Sequence, residues 1–453
     1  MKIHILGICG TFMGGIALLA RELGHEVSGS DANVYPPMST QLQQSGIQLH
    51  EGYSDLPLQN QPDLVIIGNA LSRGNPAVEY VLNSGLRYIS GPQWLLEFVL
   101  AGRHVFAVSG THGKTTTTAM LAWVLDYAGK QPGFLIGGVA ENFGISSRLG
   151  GNTCFVVEAD EYDTAFFDKR SKFIHYRPNT LIINNIEFDH ADIFGNIDDI
   201  IREFRRLIRV VPSSGQIIYK QGDANIATVL ESANWTPAVS FGSATANWHM
   251  RTNKSDFSEF EVLYQGSVVS TVKWKLIGQH NAENALAVFA AASQIGVDPV
   301  RTASALAQFK SVKRRLELLA NVGGISVYDD FAHHPTAIRV TLSALRASVG
   351  KQRIFAVFEP RSSTMKMGTH KDTLADSLIE ADVVVALQPA GIHWDLQQAL
   401  RALKPKYRIF ADVDGIIEYL LAELRAGDQV LIMSNGGFGA IHTRLIQQLE
   451  ARR

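Results

Sequence analysis

The 453 residues, 46% hydrophobic and 19% charged, have a soluble globular composition, and the length is that of about three domains. A formal net charge of −2 offers no electrostatic footprint for nucleic acid or an anionic membrane, so neither is expected as a partner. No apolar stretch reaches the roughly 18 residues that span a bilayer, and Met1-Lys2 leads straight into a strand-like run with no signal peptide, so a cytoplasmic protein is expected.

Short β-rich apolar runs alternate with helix-like segments from the start, which argues parallel sheets with crossover helices. In the first block strands are expected at 3–6, 25–30, 64–68 and 87–90, with helices at 15–23, 77–83 and 93–100. Ala101-Gly102-Arg103 reads as a linker, which makes 1–103 the first domain. Between the first strand and first helix stands Gly7-Ile8-Cys9-Gly10-Thr11-Phe12-Met13-Gly14-Gly15, and Asp31 ends the second strand. Glycines before a helix N-terminus favour a pyrophosphate, and an acid farther on takes sugar hydroxyls. Cys9 and Phe12 occupy the second and third glycine positions of the dinucleotide fingerprint. A nucleotide-like ligand and a plain tight turn both stay open, and nothing points to NAD.

The second block, 104–311, opens with the apolar run Val105–Val108 and then Gly110-Thr111-His112-Gly113-Lys114-Thr115-Thr116. A buried strand, a glycine turn and a helix start form the arrangement in which backbone N–H groups surround a polyphosphate and a lysine reaches its outer phosphates. Thr115 offers a hydroxyl to Mg²⁺. Val108 stands where the strict motif has glycine, so Gly110 supplies the turn one step closer to Lys114. Further strands are expected at 154–158, 180–184 and 216–219, an antiparallel excursion at 238–277, and helices at 281–294 and 299–309. Glu158-Ala159-Asp160-Glu161-Tyr162-Asp163 and Asn184-Asn185-Ile186-Glu187-Phe188-Asp189-His190 each follow a strand. Strand ends of one parallel sheet share an edge, so Thr115, Glu158 and His190 are expected to converge on Mg²⁺, with the imidazole making Mn²⁺ tolerable. Asn281 and Asn284 share a helix face. Amides there suit a purine edge, and Asn281 equally suits a cap. Cys9 and Cys154 both lie in apolar strand-like runs and read as buried thiols in a reducing compartment, with a disulfide disfavoured.

The third block, 312–453, has strands expected at 325–328, 354–358, 383–386, 408–410 and 429–433, separated by helical patterns. Lys313-Arg314-Arg315 reads either as a solvated linker or as a γ-phosphate clamp. Tyr328-Asp329-Asp330-Phe331-Ala332-His333-His334-Pro335 runs from a strand into a helix. Adjacent histidines do not face one way on a helix, so a metal held by the pair is disfavoured, and Asp330 is read as an acceptor for sugar hydroxyls.

As a set, Gly-Thr-His-Gly-Lys-Thr at 110–115, Asn-Ile-Glu-Phe-Asp-His at 185–190, His-Asn-Ala-Glu-Asn at 280–284 and Asp-Asp-Phe-Ala-His-His-Pro-Thr at 329–336 resemble the Mur ligases, the ATP-dependent amide-forming enzymes of peptidoglycan synthesis. The resemblance covers the whole chain. It implies a three-domain α/β fold: a Rossmann-like UDP-sugar domain, a central phosphate-loop ATPase and a Rossmann-like C-terminal domain. It further implies a UDP-sugar site at Gly7, Gly10, Thr11, Phe12, Met13, Gly14, Asp31 and Asn69, and an ATP site at residues 110–116 with Asn281, Asn284, Arg314 and Asp330. Lys114, His190 and Arg315 would carry the chemistry, with Mg²⁺ on Thr115, Glu158 and His190.

His112, Glu158–Glu161 and the His-His-Pro-Thr segment resemble the branch that adds L-alanine to UDP-N-acetylmuramate. The segments 7–15, 358–366 and 434–439 resemble instead the branch that attaches a recovered tripeptide, L-alanyl-γ-D-glutamyl-meso-diaminopimelate. The expected substrates are therefore ATP, UDP-N-acetylmuramate and the tripeptide, with L-alanine the alternative acceptor. Arg361, Ser362, Lys366 and His370 are the expected peptide contacts. Arg205 and Arg206 occupy the region where several Mur ligases carry a carbamoylated lysine, which is expected to be absent here.

Overall fold

The computed structural model describes residues 1–34, 38–232, 235–388 and 391–452. In the N-terminal sheet the apolar strand Lys2–Leu6 is central, flanked in parallel by Glu26–Asp31 on one side and Leu64–Ile67 on the other, with Gln48–Glu51 and Tyr88–Ser90 at the edges. Winding reverses at the central strand. Such a switch point opens a crevice at the strand ends, where residues 7–10 lie. The helix after that loop is Thr11–Glu22. Helix Met38–Gln44 and strand Gln48–Glu51 were not expected, since a glutamine-rich stretch shows no clear apolar period. The helix expected at 93–100 is the short Gly91–Leu95 followed by a π turn, Leu96–Leu100.

The central sheet has ten strands. Strand His104–Ser109 lies between Cys154–Glu158 and Thr180–Ile183, all parallel, so three C-terminal strand ends sit side by side. The antiparallel excursion is shorter than its expected span, because Ala238–Gly242 pairs in parallel with Gln216–Lys220. Antiparallel pairing starts with Trp248–Arg251 against Glu259–Tyr264. The strands Gly133–Ala140 and Ile145–Arg148 and the small hairpin Asp163–Ala165 with Asp168–Ser171 are additions the sequence pattern did not mark. Ile145–Arg148, Asp163–Ala165 and Asp168–Ser171 are short and mostly polar and lack the apolar run that signals a buried strand, and in Gly133–Ala140 two glycines interrupt that run after Ile136. Helix Lys114–Tyr127 packs against helix Gln279–Ser293, and the Thr- and Ala-rich faces of both are buried.

The C-terminal sheet orders Glu317–Val322, Ile325–Asp330, Gln429–Met433, Ile354–Phe358, Val383–Leu387 and Tyr407–Phe410. Only the first pairing is antiparallel, a hairpin turned at Gly323-Gly324. The N-terminal and central sheets are joined by packing: at Gly15 a side chain would collide with Leu135. Cys154 is buried in its strand, whereas Cys9 lies in the loop after the first strand and is partly exposed, and both thiols are free. Among the described residues no helix is long and apolar enough to cross a membrane.

Candidate active site

The loop after strand His104–Ser109 turns on two glycines of positive φ, Gly110 at 131° and Gly113 at 80°. A side chain at Gly110 would meet the Asn185 backbone at 3.0 Å. Gly113 is the N-cap of helix Lys114–Tyr127, whose first turn has neither a capping side chain nor an acid. Its N–H groups therefore stay available to an anion. The loop is braced from behind. The Thr111 N–H donates to the Asn185 carbonyl (3.1 Å) and the His112 N–H to Asn185 Oδ1 (2.8 Å). The Thr111 hydroxyl accepts from the Glu187 N–H at 2.8 Å. Thr111 and His112 thus spend their amides on shaping the loop, and Gly113, Lys114, Thr115 and Thr116 make its open mouth.

Lys114 is largely buried among carboxylates, with Nζ 3.1 Å from Glu161 Oε2 and 3.8 Å from Asp160 Oδ1. Burial alone would discharge the ammonium, but Glu161, Asp160 and Glu158 outweigh it and hold the lysine charged above its ordinary pKa. Burial likewise works to protonate Glu161, and Lys114 with His190 overcomes it, keeping that carboxyl well below the usual range. Glu158 moves the other way, since burial raises it more than Lys114 lowers it. It accepts from the Thr115 hydroxyl at 3.0 Å and the Gly137 N–H at 2.7 Å.

The three residues expected to converge on metal fall into two groups in the structure. Thr115 joins Glu158, whereas His190 Nε2 lies 3.2 Å from Glu161 Oε1. Asp160, Glu161 and His190 place their donor atoms within 4.8 Å of one another. His190 is held in a left-handed conformation (φ 56°) under the Tyr162 ring, 4.3 Å between centroids. Its pKa is raised because Glu161 and Asp189 outweigh burial. Both groups are dominated by hard oxygen donors, which fits Mg²⁺, and the imidazole suits Mn²⁺ as well.

Adjacent arginines of the segment entering the C-terminal sheet take separate tasks. Arg315 donates to the Thr115 hydroxyl at 3.2 Å. Arg314 turns back into its own sheet, donating to the Ser434 and Gly436 carbonyls (2.6 and 2.8 Å) and lying 3.2 Å from Asp329. Asp330 is buried and accepts from the Leu316 and Ala332 N–H groups, both at 2.7 Å, so its oxygens brace this same turn. Asn284 is buried and faces the phosphate loop: a side chain at Gly113 would fall 2.8 Å from its Oδ1. Asn281 instead donates to the Ile277 carbonyl (2.8 Å) at the entry of its own helix.

On the N-terminal sheet the Asp31 carboxylate accepts from the Cys9 N–H (2.8 Å) and the Asn33 N–H (3.1 Å), fixing the glycine loop. Gly10 caps helix Thr11–Glu22, again without a side-chain cap or an acid in the first turn. Gly7 takes φ 81° at the turn. Gly10 and Thr11 are exposed, Phe12 is half-buried, and Met13 and Gly14 are packed away, with Gly14 leaving no room for a Cβ beside Met38. Asn69 follows strand Leu64–Ile67 on the same edge. Lys172, nearly buried, places Nζ over both Phe12 (5.4 Å) and Tyr162 (5.5 Å), bridging this loop to the His190 region.

From the C-terminal sheet, Thr364 donates its hydroxyl to Asp189 Oδ1 (2.8 Å) and Thr336 to Glu187 Oε2 (2.7 Å). His112 Nε2 lies 3.3 Å from the same Glu187 oxygen. His333 and His334 diverge. His333 Nδ1 pairs with the Phe331 carbonyl (2.9 Å), and His334 packs between His112, tilted, and His370, edge-on, with centroids at 4.6 and 4.3 Å. Arg361 is half-exposed, 3.9 Å from Glu359, and lies over Gly436. Ser362 caps the short helix Ser363–Lys366, and Lys366 is exposed. Sequence reasoning assigned no role to Asn184, Asn185, Glu187, Lys172, Thr336 or Thr364. Asn185, Glu187 and Thr336 lie in the motifs that carry the family resemblance and Thr364 in the segment 358–366, whereas Lys172 carried no signal.

Three family models tile the chain: "Mur ligase family, catalytic domain" at 2–103, "Mur ligase middle domain" at 108–292 and "Mur ligase, glutamate ligase domain" at 314–436. The chain is 54% identical over 450 residues (99% of this chain, 98% of the relative) to an Escherichia coli K12 protein named UDP-N-acetylmuramate–L-alanyl-γ-D-glutamyl-meso-2,6-diaminoheptandioate ligase. It is 32% identical over 446 residues (96% of this chain, 93% of the relative) to a UDP-N-acetylmuramate–L-alanine ligase of Renibacterium salmoninarum. A crystal structure of a murein peptide ligase from Psychrobacter arcticus 273-4 superposes with a TM-score of 0.76 at 47% identity, covering 99% of both chains.

Proposed function

The chain belongs to the Mur ligase family, and we propose that it joins L-alanyl-γ-D-glutamyl-meso-diaminopimelate to UDP-N-acetylmuramate in an ATP-dependent amide ligation. The observation that carries this acceptor over L-alanine is the full-length identity of 54% to a relative named for the tripeptide, against 32% to one named for L-alanine. The reaction works on small molecules. The lactyl carboxylate of the sugar attacks the γ-phosphorus of ATP and releases ADP. The acyl phosphate is then attacked by the peptide's free L-alanyl amine, which loses a proton, and the tetrahedral intermediate expels phosphate.

The physical difficulty is bringing an anionic carboxylate to an anionic phosphate. Lys114 supplies a cation that its three acidic neighbours keep charged, and Arg315 brings a second to the same loop from the C-terminal side. Mg²⁺ on Thr115 with Glu158, and on His190 with Asp160 and Glu161, would add Lewis-acid neutralisation of the phosphates. In this reading 1–103 carries the UDP-sugar, with its diphosphate over the free helix start at Gly10-Thr11 and the sugar beside Asp31 and Asn69. The central unit, 104–311, carries ATP, and 312–453 carries the peptide on Arg361, Ser362, Lys366 and His370. The contacts of Thr364 and Thr336 with the His190 loop close the cleft and keep water from the acyl phosphate. An enzyme that consumes ATP and a nucleotide sugar works in the cytoplasm, here reusing cell-wall peptide for new peptidoglycan.

Phosphate release from ATP, measured with UDP-N-acetylmuramate and either acceptor, tests the reading. Turnover with the tripeptide and little with L-alanine is expected. The reverse preference would make this an alanine-adding enzyme.

A further inference from the structure

The loop Glu187-Phe188, the start of helix Pro335–Val349 and the segment 370–376 enclose a cavity of about 280 Å³. It is too small for a whole peptide or nucleotide and suited to one amino-acid end group. Two exposed charges of opposite sign line it, Arg339 and Asp376, and among the described residues neither has an ion-pair partner within 4.0 Å. Two imidazoles also face this region. His334 and His370 pack edge to face, and Nε2 of each is buried without a hydrogen-bond partner among the described residues. His334 is 6% exposed, so its unpaired nitrogen points to a missing polar partner rather than to bulk water. Helix Pro335–Val349 has no acid in its first turn, and Arg339 follows Pro335 by four residues, on the same helix face.

A simple anion fits this lining poorly, because Glu187 and Asp376 put two carboxylates beside the one guanidinium. A group carrying both charges fits it well. We propose that the cavity holds the distal amino-acid end of the peptide's third residue, its carboxylate on Arg339 and its ammonium on Asp376. The unpaired imidazole nitrogens of His334 and His370 complete the polar lining. The proposal rests on the tripeptide being the acceptor. Diaminopimelate carries at its far end the carboxylate and ammonium of a second amino acid, and lysine keeps only the ammonium. The peptide, extended, spans roughly 10–15 Å, and Glu187 stands three residues from His190 on one loop, so the far end reaches this cavity while the alanyl amine stays at the acyl phosphate.

The test is a ratio of kcat/KM values for L-alanyl-γ-D-glutamyl peptides ending in meso-diaminopimelate or in L-lysine, measured for the wild type, Arg339→Gln, Arg339→Lys and Asp376→Asn. Arg339→Gln is expected to lower the preference for diaminopimelate over lysine by about tenfold, the scale of a charged hydrogen bond, with Arg339→Lys restoring part of it. Asp376→Asn should weaken both peptides together relative to L-alanyl-γ-D-glutamate, which lacks the third residue. An Arg339→Gln enzyme whose preference matches the wild type, or a uniform loss across all acceptors, overturns the proposal and leaves the tripeptide reading standing. A wild type that ligates L-alanine and none of the peptides overturns both.

Discussion

The Arg315 guanidinium donates to the hydroxyl of Thr115 across 3.2 Å, joining the phosphate loop to a residue 200 positions later in the chain. The same hydroxyl donates to Glu158, so one threonine links a cation from the C-terminal side with the acid that ends the neighbouring strand. Arg315→Met should therefore lower kcat/KM for ligation about 100-fold, ~3 kcal/mol of lost charge stabilisation. The melting temperature should hardly change, because Arg314 keeps its own hydrogen bonds. Steady-state kinetics beside a thermal melt decides it, and a variant of normal activity removes Arg315 from the chemistry.

Lys114→Ala should abolish ligation while leaving UDP-N-acetylmuramate affinity nearly intact. The lysine lies among Glu158, Asp160 and Glu161, on a different sheet from the glycine loop at 7–10. Calorimetric titration of the folded variant with the sugar nucleotide is the measurement. Loss of sugar binding together with activity would show that the two nucleotide sites are not separable.

His190→Ala should raise the Mg²⁺ concentration needed for half-maximal rate far more than it raises KM for the peptide. Its Nε2 shares a cluster with Asp160 and Glu161. Glu158→Gln should also shift the Mg²⁺ titration, through the separate Thr115 pair. An Mg²⁺ curve unchanged by His190→Ala takes that residue out of the metal shell.

Arg361→Ala should cost roughly 1–2 kcal/mol in kcat/KM for the tripeptide, with ATP and sugar affinities unmoved. The side chain is half-exposed, so the loss is smaller than for a buried charge pair. Equal kinetics for variant and wild type would return Arg361 to the status of a solvated loop residue.

Acid should loosen the N-terminal sheet through His4. Both ring nitrogens bond serine hydroxyls, Ser28 at 2.9 Å and Ser30 at 3.0 Å, and burial, aided by His50, lowers its pKa to about 4. A folded pKa below the unfolded 6.5 means that folding favours the neutral ring. This contribution is complete above pH 6.5, and it fades as pH falls from there through 4, by up to about 3 kcal/mol. His4→Gln keeps the hydrogen bonding and does not titrate. Unfolding midpoints across that window should fall less steeply for the variant, and parallel curves for the two proteins would clear His4 of the effect.

Contiguous stretches announce themselves in the sequence. The strand, glycine turn and helix start at 105–116 could be read directly, because a phosphate loop is built from neighbouring residues whose conformations follow from glycine and apolar pattern. The alternation of parallel strands with helices was legible for the same reason, and the acid-rich runs after strands 154–158 and 180–183 gave the correct sheet edge. Short elements with mixed charge, such as Asp163–Ser171 and Gln48–Glu51, carried no period and escaped.

Partnership across long separations was decided by tertiary structure alone. Sequence could place Glu158 and His190 on one edge, but whether they meet depends on side-chain direction at three strand ends. The fold instead pairs both Lys114 and His190 with Glu161 and leaves Glu158 to Thr115. Arg314 and Arg315 are identical to any pattern, and only the left-handed backbone at Arg314 sends one guanidinium into its own sheet and leaves the other to the phosphate loop. The adjacent histidines divide likewise, His333 to a backbone carbonyl and His334 to a cluster with His112 and His370. Local propensity fixes what each segment is. Which charges end up sharing one desolvated space is set by packing, because electrostatic coupling depends on distance and burial, and neither is written in the order of the residues.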